Sequence, residues 1–159
     1  MPEEENLTVL VVDDEEIVLK SIGNYLEMET DYNILTFNSP VQALAAIEKK
    51  EIDMVISDYL MPEMTGIEFL LKVKEKYPLA TRVILTAYAD KENAIRAINE
   101  LGLFHYIEKP WDNEQLKIIV RNGLERRILM KKLEDTIRDF ESSQTQLKSI
   151  HNRILKAFV

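Results

Sequence analysis

The stretch that most constrains this chain is a short apolar run that ends in a single carboxylate, Val55–Pro62, with the sequence VISDYLMP. A mostly β-branched run without regular polar alternation predicts a parallel strand that is buried on both faces. Turn-forming residues follow Asp58 directly, so this carboxylate is predicted to lie at the carboxyl end of the strand. In open α/β sheets, ligands bind at that edge.

Three other predicted strands end in groups that bind metal ions or phosphates. The strands and the polar residues that follow them are Leu7–Val12 with Asp13 and Asp14, Val83–Leu85 with Thr86, and Phe104–Ile107 with Lys109. Because parallel strands present their carboxyl ends at one edge of a sheet, we expect three carboxylates, a hydroxyl and an ammonium group to meet there.

Amphipathic helical segments alternate with the five predicted strands, of which Tyr32–Phe37 has the alternation of an edge strand. Capping residues predict the helix starts at Asp13–Glu16, Ser39-Pro40, Thr65–Glu68, Asp90 and Asp112–Gln115, and Gly102 is predicted to end the fourth helix. The first helix is expected to bury Ile17, Val18, Ser21, Ile22, Tyr25 and Leu26. The alternation predicts an α/β fold with a parallel sheet covered by helices on both faces.

Composition indicates a globular chain and excludes several other classes. With 159 residues and 46% hydrophobic content, the chain can bury one substantial core. It has no cysteine and no apolar run long enough for a membrane span, and its first residues, MPEEE, do not resemble a secretion signal. We therefore expect a cytoplasmic protein without membrane contact, in which residues 3–6 form a disordered lead.

Charge divides the chain into two different pieces. Residues 1–120 contain 11 Lys/Arg and 23 Asp/Glu, whereas residues 121–159 contain 9 and 5. An acidic body followed by a basic tail indicates two structural units. The tail lacks a recognisable nucleic-acid recognition motif, so we do not expect this chain to bind nucleic acid.

The fifth helix has no stop signal, because proline and glycine are absent after Gly123. From Met130 onward a heptad pattern continues, with Met130, Ile137, Gln144, His151 and Phe158 at a and Leu133, Phe140, Leu147 and Ile154 at d. We expect a parallel dimeric coiled coil, in which the polar a positions fix register at a cost in stability. A helix folded back on its own domain, or frayed, is the alternative.

The acidic cluster predicts a site for a hard cation. Carboxylates that share a site repel one another unless a cation or a proton intervenes. An all-oxygen ligand set favours Mg²⁺ over zinc, and Mg²⁺ keeps open positions for a phosphate. One carboxylate could then attack phosphorus to give an acyl phosphate, assisted by Lys109 and Thr86. Taken alone, Asp13 and Asp14 would be explained as the cap and first-turn acids of a helix.

These motifs resemble those of the receiver domain of the two-component response-regulator family. The resemblance covers residues 5–120 and is carried by Val11–Glu15, Ser57–Gly66, Leu85–Ala87 and Tyr106–Trp111. It implies a flavodoxin-like (βα)5 fold with strand order 2-1-3-4-5. We therefore expect a receiver domain at residues 5–123 and a helical, dimerising extension at residues 124–159.

The resemblance also implies roles for the strand-end residues. Asp58 would accept phosphate from a sensor histidine kinase, and Asp13, Asp14, Asp58 and the backbone carbonyl of Leu60 would hold Mg²⁺ or Mn²⁺. Lys109 would pair with the phosphoryl group, and its peptide bond to Pro110 is cis in this family.

A switch and a lifetime control are implied in the same way. After phosphorylation, Thr86 would move toward the phosphate and Tyr106 would turn inward, which would remodel the face formed by helix four, strand five and helix five. Small Ala87 would leave room for the phosphate, and bulky Leu60 and Tyr88 would slow its hydrolysis.

We therefore predict a phosphorylation-controlled response regulator that relays its state to the long helix and to an output domain beyond residue 159. A stand-alone regulator that binds partners is the alternative. An aspartyl phosphatase is disfavoured because the Asp-x-Asp nucleophile motif is missing. A flavin carrier would need a glycine- or hydroxyl-rich loop after strand one, where four acidic residues stand instead. The chain is not expected to be an enzyme beyond its own phosphorylation and dephosphorylation.

Overall fold

A computed structural model describes residues 7–158, and the predicted disordered lead at residues 3–6 lies outside this range. The strands are β1 (Thr8–Val12), β2 (Asn33–Phe37), β3 (Met54–Asp58), β4 (Thr81–Thr86) and β5 (His105–Glu108). The helices are α1 (Glu16–Glu29), α2 (Pro40–Ile47), α3 (Gly66–Lys76), α4 (Lys91–Leu101) and α5 (Asn113–Ala157), with a 3-10 turn at Tyr88–Asp90.

The five strands form one parallel sheet in the order β2-β1-β3-β4-β5, with helices on both faces, as the sequence and the resemblance predicted. Every residue of β1, β3 and β4 is buried, whereas β2 and β5 at the edges are partly exposed. The continuous apolar runs thus mark the central strands, because both of their faces are covered.

One face of the sheet packs into a core with α2, α3 and α4. Its fully buried members include Leu10, Val55, Phe69, Ile84 and Ala94. The residues come from strands and helices that alternate along the chain, so the core holds the strand order in place. As a consequence, the carboxyl ends of β1, β3 and β4 stay adjacent.

Most of the predicted helix boundaries are found. The Ser39 hydroxyl accepts a hydrogen bond from Gln42 N at 3.2 Å, and the Thr65 hydroxyl accepts one from Glu68 N at 3.2 Å. Gly102 ends α4 with φ = 70°, a left-handed conformation that favours glycine. Asp90 is the N-cap residue of α4, as predicted, but its side chain makes no capping hydrogen bond within residues 7–158.

The predicted start of α1, Asp13–Glu16, is confirmed only at its last residue. The helix begins at Glu16, because Asp13 N still donates to Phe37 O at 3.2 Å and so extends the β1–β2 pairing. The buried stripe runs through Val18, Ile22 and Leu26, spaced four residues apart. Ile17 is 75% exposed and Ser21 is exposed, because they lie one position before this stripe; the predicted burial of both is wrong.

Helix α5 spans 45 residues and, as predicted, continues without interruption beyond the receiver-like part. The first compact unit ends at Arg127 and the second begins at Ile128. In the second unit, Arg138 pairs with Glu134 at 2.8 Å, one helical turn away. Met130 is half-buried, and the other predicted heptad positions are exposed: Leu133, Ile137, Phe140, Gln144, Leu147, His151, Ile154 and Phe158. Among residues 7–158, no helix has both the length and the apolar character that a bilayer crossing needs.

Candidate functional site

Three carboxylates converge at the carboxyl edge of the sheet. One oxygen from each of Asp13, Asp14 and Asp58 lies within 4.8 Å of the other two. Asp13 and Asp58 are buried, whereas Asp14 is exposed. Asp13 follows β1 and Asp58 ends β3, and these strands are hydrogen-bonded neighbours. The sequence prediction that these side chains meet is therefore correct.

Lys109 places one ammonium group among the acids. Its Nζ lies 2.8 Å from Asp13 Oδ2, 3.2 Å from Asp58 Oδ1 and 3.7 Å from Glu15 Oε1. The Lys109 side chain is only 19% exposed, so these attractions act in a medium that screens them less than water does. One cation thus faces a group of carboxylates that it cannot neutralise alone.

The pKa values of the two buried acids reflect this excess of negative charge. Burial and the charge of Asp13 raise the pKa of Asp58 to about 6, although Lys109 acts in the opposite direction. Burial also raises the pKa of Asp13, and Lys109 and the Glu15 backbone oppose that shift. Burial alone would lower the pKa of Lys109, but the contact with Asp13 and the charges of Asp13 and Asp58 outweigh it and raise that pKa.

These residues fit a divalent cation. Asp13 Oδ2 is fully buried, and Lys109 Nζ lies 2.8 Å from it. Three carboxylates around one ammonium leave a surplus of negative charge, which is costly in a partly buried site unless a further cation neutralises it. Oxygen ligands from Asp13, Asp14 and Asp58 match the preference of Mg²⁺. The cluster therefore has the ligand chemistry and the unmet charge that such an ion needs.

Backbone hydrogen bonds position Asp58. Tyr59 N donates to Asp58 Oδ1 at 3.0 Å and to Leu85 O at 2.9 Å, and Gly66 N donates to Tyr59 O at 2.8 Å. A Cβ at Gly66 would collide with Asp58 O. Only a residue without a side chain can therefore begin α3 so close to the end of β3.

The strand ends of β4 and β5 hold the other predicted residues. Lys109 N donates to Thr86 O at 2.8 Å, and the bond between Lys109 and Pro110 is cis. The buried Thr86 donates its hydroxyl to Ala87 O at 3.0 Å and not to an aspartate. Tyr106 is half-buried on β5, and Lys91 Nζ lies 5.9 Å from the centre of its ring.

The residues predicted to control phosphate lifetime lie at the surface. Leu60 and Tyr88 have exposed side chains, and Ala87 is also exposed. These positions flank the strand ends that carry Asp58 and Thr86, where incoming water would pass.

Sequence reasoning missed two charged residues. Glu15 was assigned only to a helix start, although it is the third carboxylate near Lys109. Arg127 was overlooked on the long helix, although its side chain is 8% exposed and paired with Glu51 and Asp53. Its spacing from the buried Leu116, Val120 and Leu124 could have shown that it lies on the packed face of α5.

Comparison with known proteins agrees with this geometry. Residues 9–121 match the family described as the response regulator receiver domain. The chain is 36% identical over 118 residues to the hydrogenase transcriptional regulatory protein HoxA of Cupriavidus necator, a match that covers 74% of this chain and 24% of HoxA. It is 30% identical over 122 residues to a cyclic di-GMP phosphodiesterase of Thermotoga maritima, covering 77% of this chain and 32% of the relative.

Solved structures show the same fold. A response regulator receiver domain protein from Clostridium thermocellum superposes with a TM-score of 0.72 at 34% identity, covering 78% of this chain and 98% of that one. In contrast, the chain spans about a quarter to a third of the length of the curated relatives named above. The matched region contains the acidic cluster, Thr86 and Lys109, and it identifies this chain as a member of the response regulator receiver domain family of two-component systems.

Proposed function

We propose that Asp58 accepts a phosphoryl group from a sensor histidine kinase, with Mg²⁺ or Mn²⁺ held by Asp13, Asp14, Asp58 and the backbone carbonyl of Leu60. The observation that carries this proposal is the convergence of three carboxylates, from Asp13, Asp14 and Asp58, on one ammonium group that cannot neutralise them all. Receiver domains as a family are phosphoacceptors that bind Mg²⁺ at such a cluster.

The chemistry is a phosphoryl transfer between two nucleophiles. A carboxylate oxygen of Asp58 forms a bond to phosphorus while the bond from phosphorus to the kinase imidazole nitrogen breaks, and that nitrogen keeps the electron pair. When bound, the divalent ion neutralises charge on the phosphoryl oxygens. Lys109 lies 3.2 Å from Asp58, so its ammonium can contact a phosphoryl oxygen without a large movement. No output enzyme is proposed within this chain.

We further propose that Thr86 and Tyr106 transmit the phosphorylated state. The hydroxyl of Thr86 donates only to the carbonyl of the next residue, a bond that it can exchange for one to a phosphoryl oxygen. Tyr106 is half-buried and can turn inward to follow it. Leu60, Ala87 and Tyr88 are proposed to set how fast water removes the phosphate.

The proposed signal leaves through α4, β5 and α5. We propose that the exposed apolar stripe beginning at Leu133 pairs with a second copy of the chain, because an unpaired stripe would leave large apolar side chains in water. We place the receiver at residues 5–123 and the dimerising extension at residues 124–159, in a cytoplasmic protein with an output domain beyond this sequence. The greater lengths of the relatives support that domain.

Phosphorylation can be tested with a small acyl-phosphate donor and Mg²⁺. Intact-mass measurement should show one phosphoryl group per chain, and removal of Mg²⁺ should prevent its addition. The Asp58→Asn variant should remain unlabelled, whereas the matched Asp90→Asn variant should be labelled like the wild type. Labelling of Asp58→Asn would overturn the assignment, and turnover of many equivalents would indicate a phosphatase.

The tail proposal needs a separate measurement. Sedimentation of the unmodified and phosphorylated chain should detect a dimer in at least one state. Leu133→Asn combined with Phe140→Asn should abolish that dimer while leaving the labelling of Asp58 unchanged. A monomer in both states of the wild type would overturn the coiled-coil proposal alone.

A further inference from the structure

Arg127 is the residue of α5 at which the first compact unit ends, and it carries a buried charge that the proposed phosphorylation chemistry does not use. The guanidinium of Arg127 lies 3.2 Å from Glu51 Oε1 through Nη2 and 3.6 Å from Asp53 Oδ1 through Nε. The Arg127 side chain is 8% exposed and that of Asp53 15%, whereas Glu51 is 62% exposed. The Nε contact is too long for a hydrogen bond, so the pair with Asp53 is ionic.

Asp53 ties this charge to the centre of the sheet. Its side chain accepts from Thr8 N at 2.8 Å, its own N donates to Thr8 O at 3.0 Å, and its carbonyl accepts from Thr81 N at 3.0 Å. Asp53 thus joins the first residues of β1 and β4 immediately before β3 begins. The strand that starts beside the partner of Arg127 is the strand that ends at Asp58.

A second set of contacts fixes α5 close to the same strand starts. The buried Thr81 hydroxyl donates to Gly123 O at 2.7 Å. A Cβ at Gly123 would lie 3.0 Å from the Met54 side chain and 3.1 Å from that of Thr81. The helix therefore approaches β3 and β4 so closely here that a side chain at residue 123 would require Met54 and Thr81 to shift.

The first turn of α5 is held beside the edge of the sheet that contains Asp58. Glu114 N donates to Asp112 Oδ1 at 2.8 Å, and Leu116 N donates to Asp112 O at 2.9 Å. This cap follows Lys109 by three residues. The part of α5 from residue 113 to residue 127 therefore runs from the edge that contains Asp58 to the edge that contains Asp53, with contacts near residues 113 and 127.

We propose that Arg127 is a positioning residue that fixes α5 at residue 127 to the start of β3, so that changes at the Asp58 edge are passed to residues 128–158. This inference rests on the proposed relay through α5 and assigns it a specific coupling residue. If α5 is fixed at residue 127, a displacement of its first turns is transmitted to the residues that follow. If α5 is free to move there, the displacement is absorbed locally. Coupling requires an element whose arrangement both sites bias, and the Arg127 ion pairs supply the contact at the base.

The first measurement tests the anchor without phosphate. Hydrogen exchange of the amides at residues 120–127 should be at least about tenfold faster in Arg127→Gln than in the wild type. Arg121→Gln is the matched control, because Arg121 is an exposed arginine on the same helix with no ion pair within the described residues 7–158. Unchanged exchange in Arg127→Gln would overturn the anchor, whatever the tail does.

The second measurement tests the coupling. The dimerisation constant is compared with and without a beryllofluoride–Mg²⁺ phosphoryl mimic in the wild type, Arg127→Gln, Arg127→Lys and Arg121→Gln. In the wild type and in Arg121→Gln, we expect the mimic to change the dimerisation constant by about fivefold or more. In Arg127→Gln, the dimerisation constants with and without the mimic should agree within about twofold. Arg127→Lys, which keeps the charge, should recover part of the change.

Controls separate coupling from stability and from the proposed function. The rate of Asp58 phosphorylation should remain within about twofold of the wild type in every variant, because Arg127 lies at the opposite edge. If Arg127→Gln fails to fold, Glu51→Gln replaces it, because it removes one ion pair of Arg127 by changing a largely exposed residue. In this variant, the effect of the phosphoryl mimic on the dimerisation constant should be partly reduced. Full coupling in Arg127→Gln, or in Glu51→Gln if it replaces that variant, would overturn the inference and leave the relay intact. A wild type without coupling would overturn the relay, and the inference with it.

Discussion

The two edges of the sheet each bury a cation against carboxylates, but the excess of carboxylates over cations is larger at the carboxyl edge. At the carboxyl edge, Lys109 faces Asp13, Glu15 and Asp58, and Asp14 adds a further carboxylate to the cluster. At the amino edge, Arg127 pairs with two acids, of which one is largely exposed and the other accepts a backbone hydrogen bond from Thr8.

The difference separates a reactive site from a structural one. An edge with surplus buried negative charge is costly until a further cation arrives, so it is suited to binding. At the amino edge the second carboxylate, Glu51, is largely exposed to water, so little negative charge stays buried without a cation and this edge is suited to holding the helix that crosses it. The fold thus uses the same kinds of side chain for chemistry at one end of β3 and for attachment at the other.

The largest expected contrast comes from one substitution made at each edge. Asp13→Asn should lower Mg²⁺-dependent phosphorylation of Asp58 by about 100-fold, because a metal ligand contributes several kcal/mol to charge neutralisation. Asp53→Asn is the matched control, since both side chains accept a backbone N–H, at 2.9 and 2.8 Å. It should leave the phosphorylation rate nearly unchanged and lower the stability. Equal rates in the two variants would remove the distinction between the edges.

The amino edge should dominate the free energy of unfolding. Arg127→Met should lower it by about 3 kcal/mol, because the substitution removes the guanidinium that lies 3.6 Å from the nearly buried Asp53. Urea unfolding provides the measurement. Arg138→Met, which removes an exposed i,i+4 pair with Glu134, should change the same quantity by less than about 0.5 kcal/mol. A loss for Arg127→Met as small as that of the control would contradict the structural role of the amino edge.

The carboxyl edge should show the opposite sign of effect on stability. The pKa of Asp58 is about 6 in the folded state against 3.8 in the reference state, so the folded chain binds this proton more tightly. Asp58 therefore costs stability as the pH rises from about 4 to 6, and the full cost persists above pH 6. Asp58→Asn should raise the unfolding free energy by about 2 kcal/mol at pH 7.5 without Mg²⁺.

The gain from Asp58→Asn should vanish below about pH 4, where Asp58 is protonated in the folded and unfolded states. Saturating Mg²⁺ should also reduce the gain at pH 7.5, because the ion stabilises the wild type selectively. Urea unfolding at the two pH values, with and without Mg²⁺, measures both effects. A stability advantage that does not depend on pH would show that charge is not its cause.

The smallest effect is expected for a buried arginine outside both clusters. Arg82 on β4 is 6% exposed, forms no ion pair with a carboxylate among residues 7–158, and donates from Nη2 to Gly102 O at 3.4 Å. Burial, with a contribution from Arg126, lowers its pKa. Arg82→Met should change the unfolding free energy by less than about 1 kcal/mol. The substitution removes the weak hydrogen bond to Gly102 O, but it also removes the cost of burying a charge that has no carboxylate partner among residues 7–158. A loss as large as that of Arg127→Met would show that burial rather than pairing decides the outcome.

Most of the sheet and the acidic site could be predicted from sequence because each depends on local signals with a simple geometric consequence. A buried strand appears as a continuous apolar run, and parallel strands bring their carboxyl ends to one edge. Once Asp13, Asp58 and Lys109 are assigned to strand ends, their proximity follows. No long-range distance had to be known.

The errors arose where long-range pairing overrides a local signal. Asp13 has the sequence context of a helix start, but its N–H is taken by Phe37 on the neighbouring strand, which delays α1. Ile17 is apolar and helical, yet it falls beside the buried stripe rather than within it. Arg127 is typical of a surface residue until its acidic partners near position 53 are brought under the helix.

Gly66 shows how closely folding and signalling are linked in this chain. A side chain at this residue would displace the carbonyl of Asp58, the proposed phosphoacceptor. A mutational survey would therefore record alanine at residue 66 as a signalling defect, although glycine at that position contributes no atom to the chemistry. The position of Asp58 therefore depends on residue 66 having a hydrogen atom where every other amino acid has a Cβ.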